Sequence, residues 1–144
     1  MGRARRIESA VGSVIELRAA LRLASDSRQR ASIERVELTL RSEIGDSVPK
    51  AVAARVLEVS VPALGRWVAR GRLREIERDG SSRAELDAEA LLDLATEVAR
   101  LRESGYERAV LATAFSRLAA ARRVLEAAEL SLAATTIAAA SRAT

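Results

Sequence analysis

The chain contains neither cysteine nor histidine. That excludes disulfides, thiolate nucleophiles, imidazole acid–base catalysis and Cys/His zinc sites together. No cofactor or metal site is expected, and the lack of thiols fits a cytoplasmic protein. Aromatic residues make up 2% of the chain, namely Trp67, Tyr106 and Phe115. Too few are present to line a pocket for diverse small effectors. Only two prolines interrupt the chain, Pro49 and Pro62. No glycine-rich phosphate loop occurs, and the scattered Glu/Arg groups, such as Arg122, Arg123, Glu126 and Glu129, read as solvated. No enzymatic activity is expected. Arg3, Arg5 and Arg6 are not followed by an apolar run, so no secretory signal is read. The longest uncharged stretch, Leu130 to Ser141, is short and rich in Ser/Thr, so no membrane partner is expected.

Apolar residues nevertheless supply 49% of the 144 positions, mostly Ala, Leu and Val. That mixture favours helices, and the length suits about one domain. A mostly α fold is expected. Of 24 basic residues only Lys50 is lysine. An arginine-rich chain can simply reflect genome composition, so position carries more weight than abundance. Residues 48–83 hold Lys50, Arg55, Arg66, Arg70, Arg72, Arg74, Arg78 and Arg83 against Glu58, Glu75, Glu77 and Asp79. The whole net charge of +4 therefore lies in that window, since the remaining acids and bases balance.

Apolar spacing near 3.6 predicts helices over 5–24 and about 28–44, forming a hairpin with Ser25-Asp26-Ser27 as the break and Gly45 as the stop. The second stripe is Ile33, Val36, Leu40 and Ile44. Neither helix is apolar enough to stand alone. Ser47 is read as the cap of a third helix, about 49–57, with Pro49 in its first turn. Pro62 opens a fourth that ends at Gly71. Leu73 to Arg78 and Arg83 to Leu86, joined around Asp79-Gly80, predict a small β-hairpin. Asp87 caps a fifth helix of about 88–103, with Leu86 and Leu91 as a hydrophobic staple. A last helix is expected over about 106–132, followed by a fraying tail.

The segment 53–68 carries the main signal. Two short helices joined by a three-residue turn need a small residue where they cross, which Ala53 or Ala54 supplies. Val59, Val61, Leu64 and Val68 are expected to fill the space between them. Ser60 can cap the second helix, whose outward face presents Pro62, Ala63, Arg66 and Arg70. Small residues let a backbone enter the DNA major groove, and arginine reaches guanine O6/N7 or phosphate. Trp67 is expected chiefly as packing between helix and hairpin, with its indole N–H able to reach a phosphate.

Residues 48–95 resemble the winged helix-turn-helix of the MerR and excisionase-like superfamily. The resemblance rests on Leu57-Glu58-Val59-Ser60, then Leu64-Gly65-Arg66-Trp67, then Gly71-Arg72-Leu73 and the helix opening Asp87-Ala88-Glu89-Ala90-Leu91-Leu92. Family members often have glycine where this chain has Glu58, so the turn is expected to be strained or differently built. The resemblance implies a wing, 73–86, whose Arg78 and Arg83 touch the DNA backbone.

Three segments follow. Residues 1–46 form a helical hairpin for packing or dimerisation, 47–104 the DNA-binding unit, and 105–144 an amphipathic helix and tail for partner or dimer contact. The expected function is sequence-specific binding of double-stranded DNA by a transcriptional regulator, as a repressor. Its DNA contacts would be Lys50, Arg55, Ser60, Pro62, Ala63, Arg66, Trp67, Arg70, Arg72, Arg78 and Arg83. Leu111, Leu118, Leu125 and Leu132 recur every seven residues, with Ala114, Ala121 and Ala128 in the complementary position. Together with Phe115 they are expected either to meet a partner, a homodimer mate foremost, or to pack on their own domain. The alternative is an antitoxin that covers a cognate toxin with its helical arms and represses its own operon. A phage- or plasmid-type architectural DNA binder is a third possibility.

Overall fold

A computed structural model describes residues 2–77 and 83–143. The described residues form six helices and three short strands: α1 (Arg3–Leu23), α2 (Ser27–Ile44), β1 (Ser47–Val48), α3 (Lys50–Leu57), α4 (Val61–Ala69), β2 (Glu75–Ile76), β3 (Glu85–Asp87), α5 (Ala88–Glu103) and α6 (Val110–Ala143). The fold is mostly helical around a small antiparallel sheet of order β1-β3-β2.

Local chemistry sets most of these boundaries. The Asp26 side chain accepts from the Arg28 amide at the start of α2, and Gly45, at φ 82°, follows its end. Ser60 accepts from the Ala63 amide (3.2 Å) and Asp87 from the Ala90 amide (3.0 Å), capping α4 and α5. Leu86 and Leu91, either side of the Asp87 cap, are both fully buried. The staple therefore also anchors α5 in the core.

α5 is the central beam, burying Ala88, Leu91, Leu92, Leu94, Ala95, Val98 and Leu101. α1 lays Ile7, Ala10, Val11 and Val14 into the same cluster, beside Val52, Ala53 and Leu57 of α3. Ala114 and Phe115 of α6 belong to it too. The buried cluster thus runs continuously through 1–46, 47–104 and 105–144. α2 contributes less, for only Ile44 is buried and Val36 is exposed. Half-buried Leu40 packs against the core as well, and Arg18 of α1 ties α2 down, its Nε donating to Glu37 (2.8 Å) while Nη1 donates to Asp93 (3.1 Å) and Thr96 (3.2 Å) of α5.

Ser47 departs from its expected role. It lies in β1, paired across the sheet with Asp87, and its Oγ donates to Glu85 (2.8 Å). Glu85, on the central strand, is 7% exposed and also accepts both terminal nitrogens of Arg3, each at 3.0 Å. The hydrogen bonds that Arg3 donates to Glu85 raise the Arg3 guanidinium pKa, against a smaller opposing effect of burial. A buried carboxylate needs such partners. Replacing Glu85 by alanine strands the Ser47 hydroxyl and releases Arg3. An expected loss of roughly 1.5–3 kcal/mol follows, read as a lower urea midpoint at unchanged slope.

The last helix differs from expectation at both ends. Gly105 (φ 89°) and Ala109 (φ 53°) turn the chain first, so α6 begins at Val110. It then continues through Ala143 rather than fraying after 132, as the helix propensity of its alanines allows. By length and composition alone α6 could cross a bilayer, with a window of mean hydropathy 1.3 that is 0% buried.

Candidate nucleic-acid interface

α3 and α4 meet at a turn of residues 58–60. Small side chains make the approach possible, since Ala53 and Ala54 are buried beside Leu57 and Leu64. Val59 and Val68 pack against this cluster, whereas Val61 is exposed and does not fill the gap as expected.

Three helix ends share one hydrogen-bond pattern, in which a left-handed residue lets its successor reach back five positions. After α4, Gly71 (φ 71°) bonds to the Val68 carbonyl (2.9 Å) and Arg72 to that of Trp67 (2.9 Å). After α5, Gly105 bonds to Arg102 and Tyr106 to Leu101. After α3, Glu58 occupies the same left-handed position (φ 56°, ψ 44°), bonding to Arg55 (3.3 Å), and Val59 bonds to Ala54 (3.0 Å). A side chain there costs on the order of 1–2 kcal/mol relative to glycine. Glu58 has a compensating partner, for Arg102 of α5 donates to its carboxylate (3.0 Å) and to the Leu57 carbonyl (3.4 Å). The turn keeps the glycine geometry and is tied to the central beam.

α4 is anchored by Leu64, its single buried residue, and by half-buried Trp67 and Val68. Trp67 stacks on Phe115 of α6, with ring centroids 4.5 Å apart and planes tilted by 33°. The Arg70 guanidinium stands 5.8 Å over the Trp67 ring. The opposite face of α4 is open and exposes Pro62, Gly65, Arg66, Ala69 and Arg70. A Cβ built on Gly65 would meet no atom of the described residues within 4 Å.

The basic residues expected to act together separate into two groups. Lys50 forms an ion pair with Glu75, and Arg55 donates to Glu8 of α1 (3.0 Å). Both charges are answered within the chain. Arg66, Arg72 and Arg74 are exposed and make no side-chain bond to other described residues. Residues 61–74 contain four arginines and no acid. Arg74 belongs with Arg66, Arg70 and Arg72; the signal for it was that acid-free run, since helical spacing alone passes it over. Ser60 acts as the α4 cap, and Pro62 and half-buried Ala63 follow it in the first turn. Arg83 is exposed beside β3, whereas Arg78 and the Asp79-Gly80 turn lie outside the described residues.

Among the expected partner contacts, Leu111, Phe115 and Leu118 lie against their own core, while Leu125 and Leu132 are exposed. A seven-residue repeat serves either purpose, and α5 takes the first two turns.

A scan against protein-family models, a search of curated proteins and a search of solved structures each return no match to this chain.

Proposed function

We propose that this chain binds double-stranded DNA in a sequence-specific manner and acts as a transcriptional regulator, in the repressor sense. In this reading α3, the 58–60 turn and α4 form a helix-turn-helix, and β2–β3 form its wing, as in the MerR and excisionase-like superfamily that residues 48–95 resemble. The observation that carries the proposal is the acid-free run 61–74, whose arginines sit on or beside an open helix face. Arg66 and Arg70 would read guanine edges or phosphates in the major groove. The capped N-terminus of α4 favours a phosphate oxygen, Arg72 and Arg74 add backbone contacts, and Arg83 joins them from the wing. Such a protein would work in the cytoplasm without a cofactor.

Selection from a randomised duplex pool with the purified full chain tests this directly. A recurrent site should emerge, and binding to it should weaken with salt by roughly 0.9 log units per log unit for each phosphate contacted. Equal retention of all sequences, or none, overturns the proposal.

Gly65 sharpens it. Glycine inside a helix costs about 0.5–1 kcal/mol relative to alanine. Among the described residues nothing occupies the space above Gly65. Gly65→Ala should therefore raise the melting temperature. Gly65→Gln should retain that gain yet weaken binding to the selected site at least about tenfold, equivalent to 1.4 kcal/mol, because its side chain would occupy the groove. Gel shift and thermal melting of the three proteins separate the two effects.

A second reading, the antitoxin, draws on the uncovered length of α6. It requires a different protein seated on that helix. A stoichiometric complex with the product of an adjacent toxin gene, with loss of toxicity, would support it.

A further inference from the structure

Leu118 and Ala119 are the last half-buried residues of α6, and from Ala120 onward the helix is exposed. Where it leaves the core, a groove of about 410 Å³ opens between α6, α5 and the turn at Gly71. That volume lies within the range, about 300–1,000 Å³, of clefts that take small molecules. Gly71, Ala90, Ala119 and Ala121 line it, and their small size keeps it open. Its walls are otherwise aliphatic, formed by Leu73, Leu94, Leu118 and Leu125, with Phe115 as the single ring. Along α6 the wall runs from Phe115 to Leu125, roughly 15 Å at 1.5 Å per residue.

Three charged side chains border this trough: Arg72, Asp93 and Arg122. Asp93 is answered by Arg18 of α1 (3.1 Å). Arg72 and Arg122 are exposed and make no side-chain bond to other described residues. The groove therefore combines a long aliphatic wall with two unanswered cations.

We propose that this groove binds a medium-chain fatty acid as its free carboxylate, with the alkyl chain along α6 and the carboxylate at Arg72 and Arg122. Guanidinium groups hold carboxylates by charge-assisted, often bidentate hydrogen bonds. Leucine walls suit an alkyl chain, whereas a planar ligand would need aromatic faces to stack on. A bilayer is the weaker occupant. It would have to receive Glu126 and Glu129, and the uncharged run Leu130–Ser141 covers roughly 18 Å of a hydrocarbon core about 30 Å thick.

The site does not depend on DNA binding, and its test needs no DNA. Calorimetric titration of the full chain with monomeric sodium decanoate should show saturable binding of one molecule per chain. Affinity should rise about two- to fourfold for each methylene added from hexanoate to decanoate, as burial of the chain requires. Decanol, which lacks the charge, should bind at least about tenfold more weakly, equivalent to 1.4 kcal/mol. Arg122→Glu should weaken decanoate by a similar factor and leave decanol unchanged, whereas Arg122→Lys should stay within a few fold of wild type. Ala121→Phe should fill the groove and remove binding of both. Far-UV circular dichroism and an unchanged urea midpoint show that each variant is folded. Absence of saturable binding, affinity independent of chain length, or wild-type affinity in both Arg122→Glu and Ala121→Phe overturns the assignment. So does flotation with phosphatidylcholine and phosphatidylglycerol vesicles by a chain that ignores monomeric decanoate.

Discussion

Alanine at both Arg66 and Arg70 is expected to abolish the sequence-specific gel shift while leaving the helical content intact. A well-placed arginine–base contact is worth about 1–3 kcal/mol of discrimination, so two lost together reduce specific binding by on the order of a hundredfold or more. The structural consequences are smaller. Arg66 has no bond to other described residues, and Arg70 gives up only its position over Trp67. An exposed cation–π contact of that kind contributes about 0.5–1 kcal/mol. The melting temperature should therefore move by a few degrees at most, and only through Arg70. Retention of specific binding by the double variant would show that α4 does not face the bases. Arg72→Ala and Arg74→Ala serve as the control, weakening all sequences alike and flattening the salt dependence.

Leu64→Ala should have the largest effect on the fold itself. Leu64 is 0% exposed and is the only fully enclosed side chain of α4. Removing a buried leucine down to its Cβ costs about 2–5 kcal/mol, according to how far the surroundings collapse. Here collapse is limited, because Leu57, Ala53 and Ala54 are themselves held by α1 and α5. The loss should appear as a large drop in urea midpoint and as weakened DNA binding at temperatures where the chain remains folded. A change below about 1 kcal/mol would mean that Trp67 and Val68 suffice to hold α4.

Much of the fold is legible because its signals are local. Asp26, Ser60 and Asp87 cap the helices they precede, while Gly45, Gly71 and Gly105 follow the ends of α2, α4 and α5. Helix α5 occupies Ala88–Glu103, the span its cap and staple predict. The misread features depend on contacts distant in sequence. Ser47 has the chemistry of a helix cap, and only the arrival of β3 and Glu85 makes it a strand residue. Val36 and Val61 fit an apolar period but remain exposed. Phe115 and its leucine neighbours carry a repeat that is equally suited to α5 and to another chain, so their destination depends on where α5 ends. The basic window around the candidate interface was visible in the sequence. Its division into paired and unpaired charges was not, because Glu8 reaches Arg55 from 47 positions away.

Trp67 is the sole tryptophan of the chain. Both the Arg70 guanidinium and the Phe115 ring contact it, where α4 leans on α6. Its ultraviolet emission therefore originates from one known place, and no label needs to be attached. Displacement of Arg70 removes a charge from beside the indole, and loosening of α6 admits water to it. Intensity and wavelength together thus make the native chain its own spectroscopic probe of that junction.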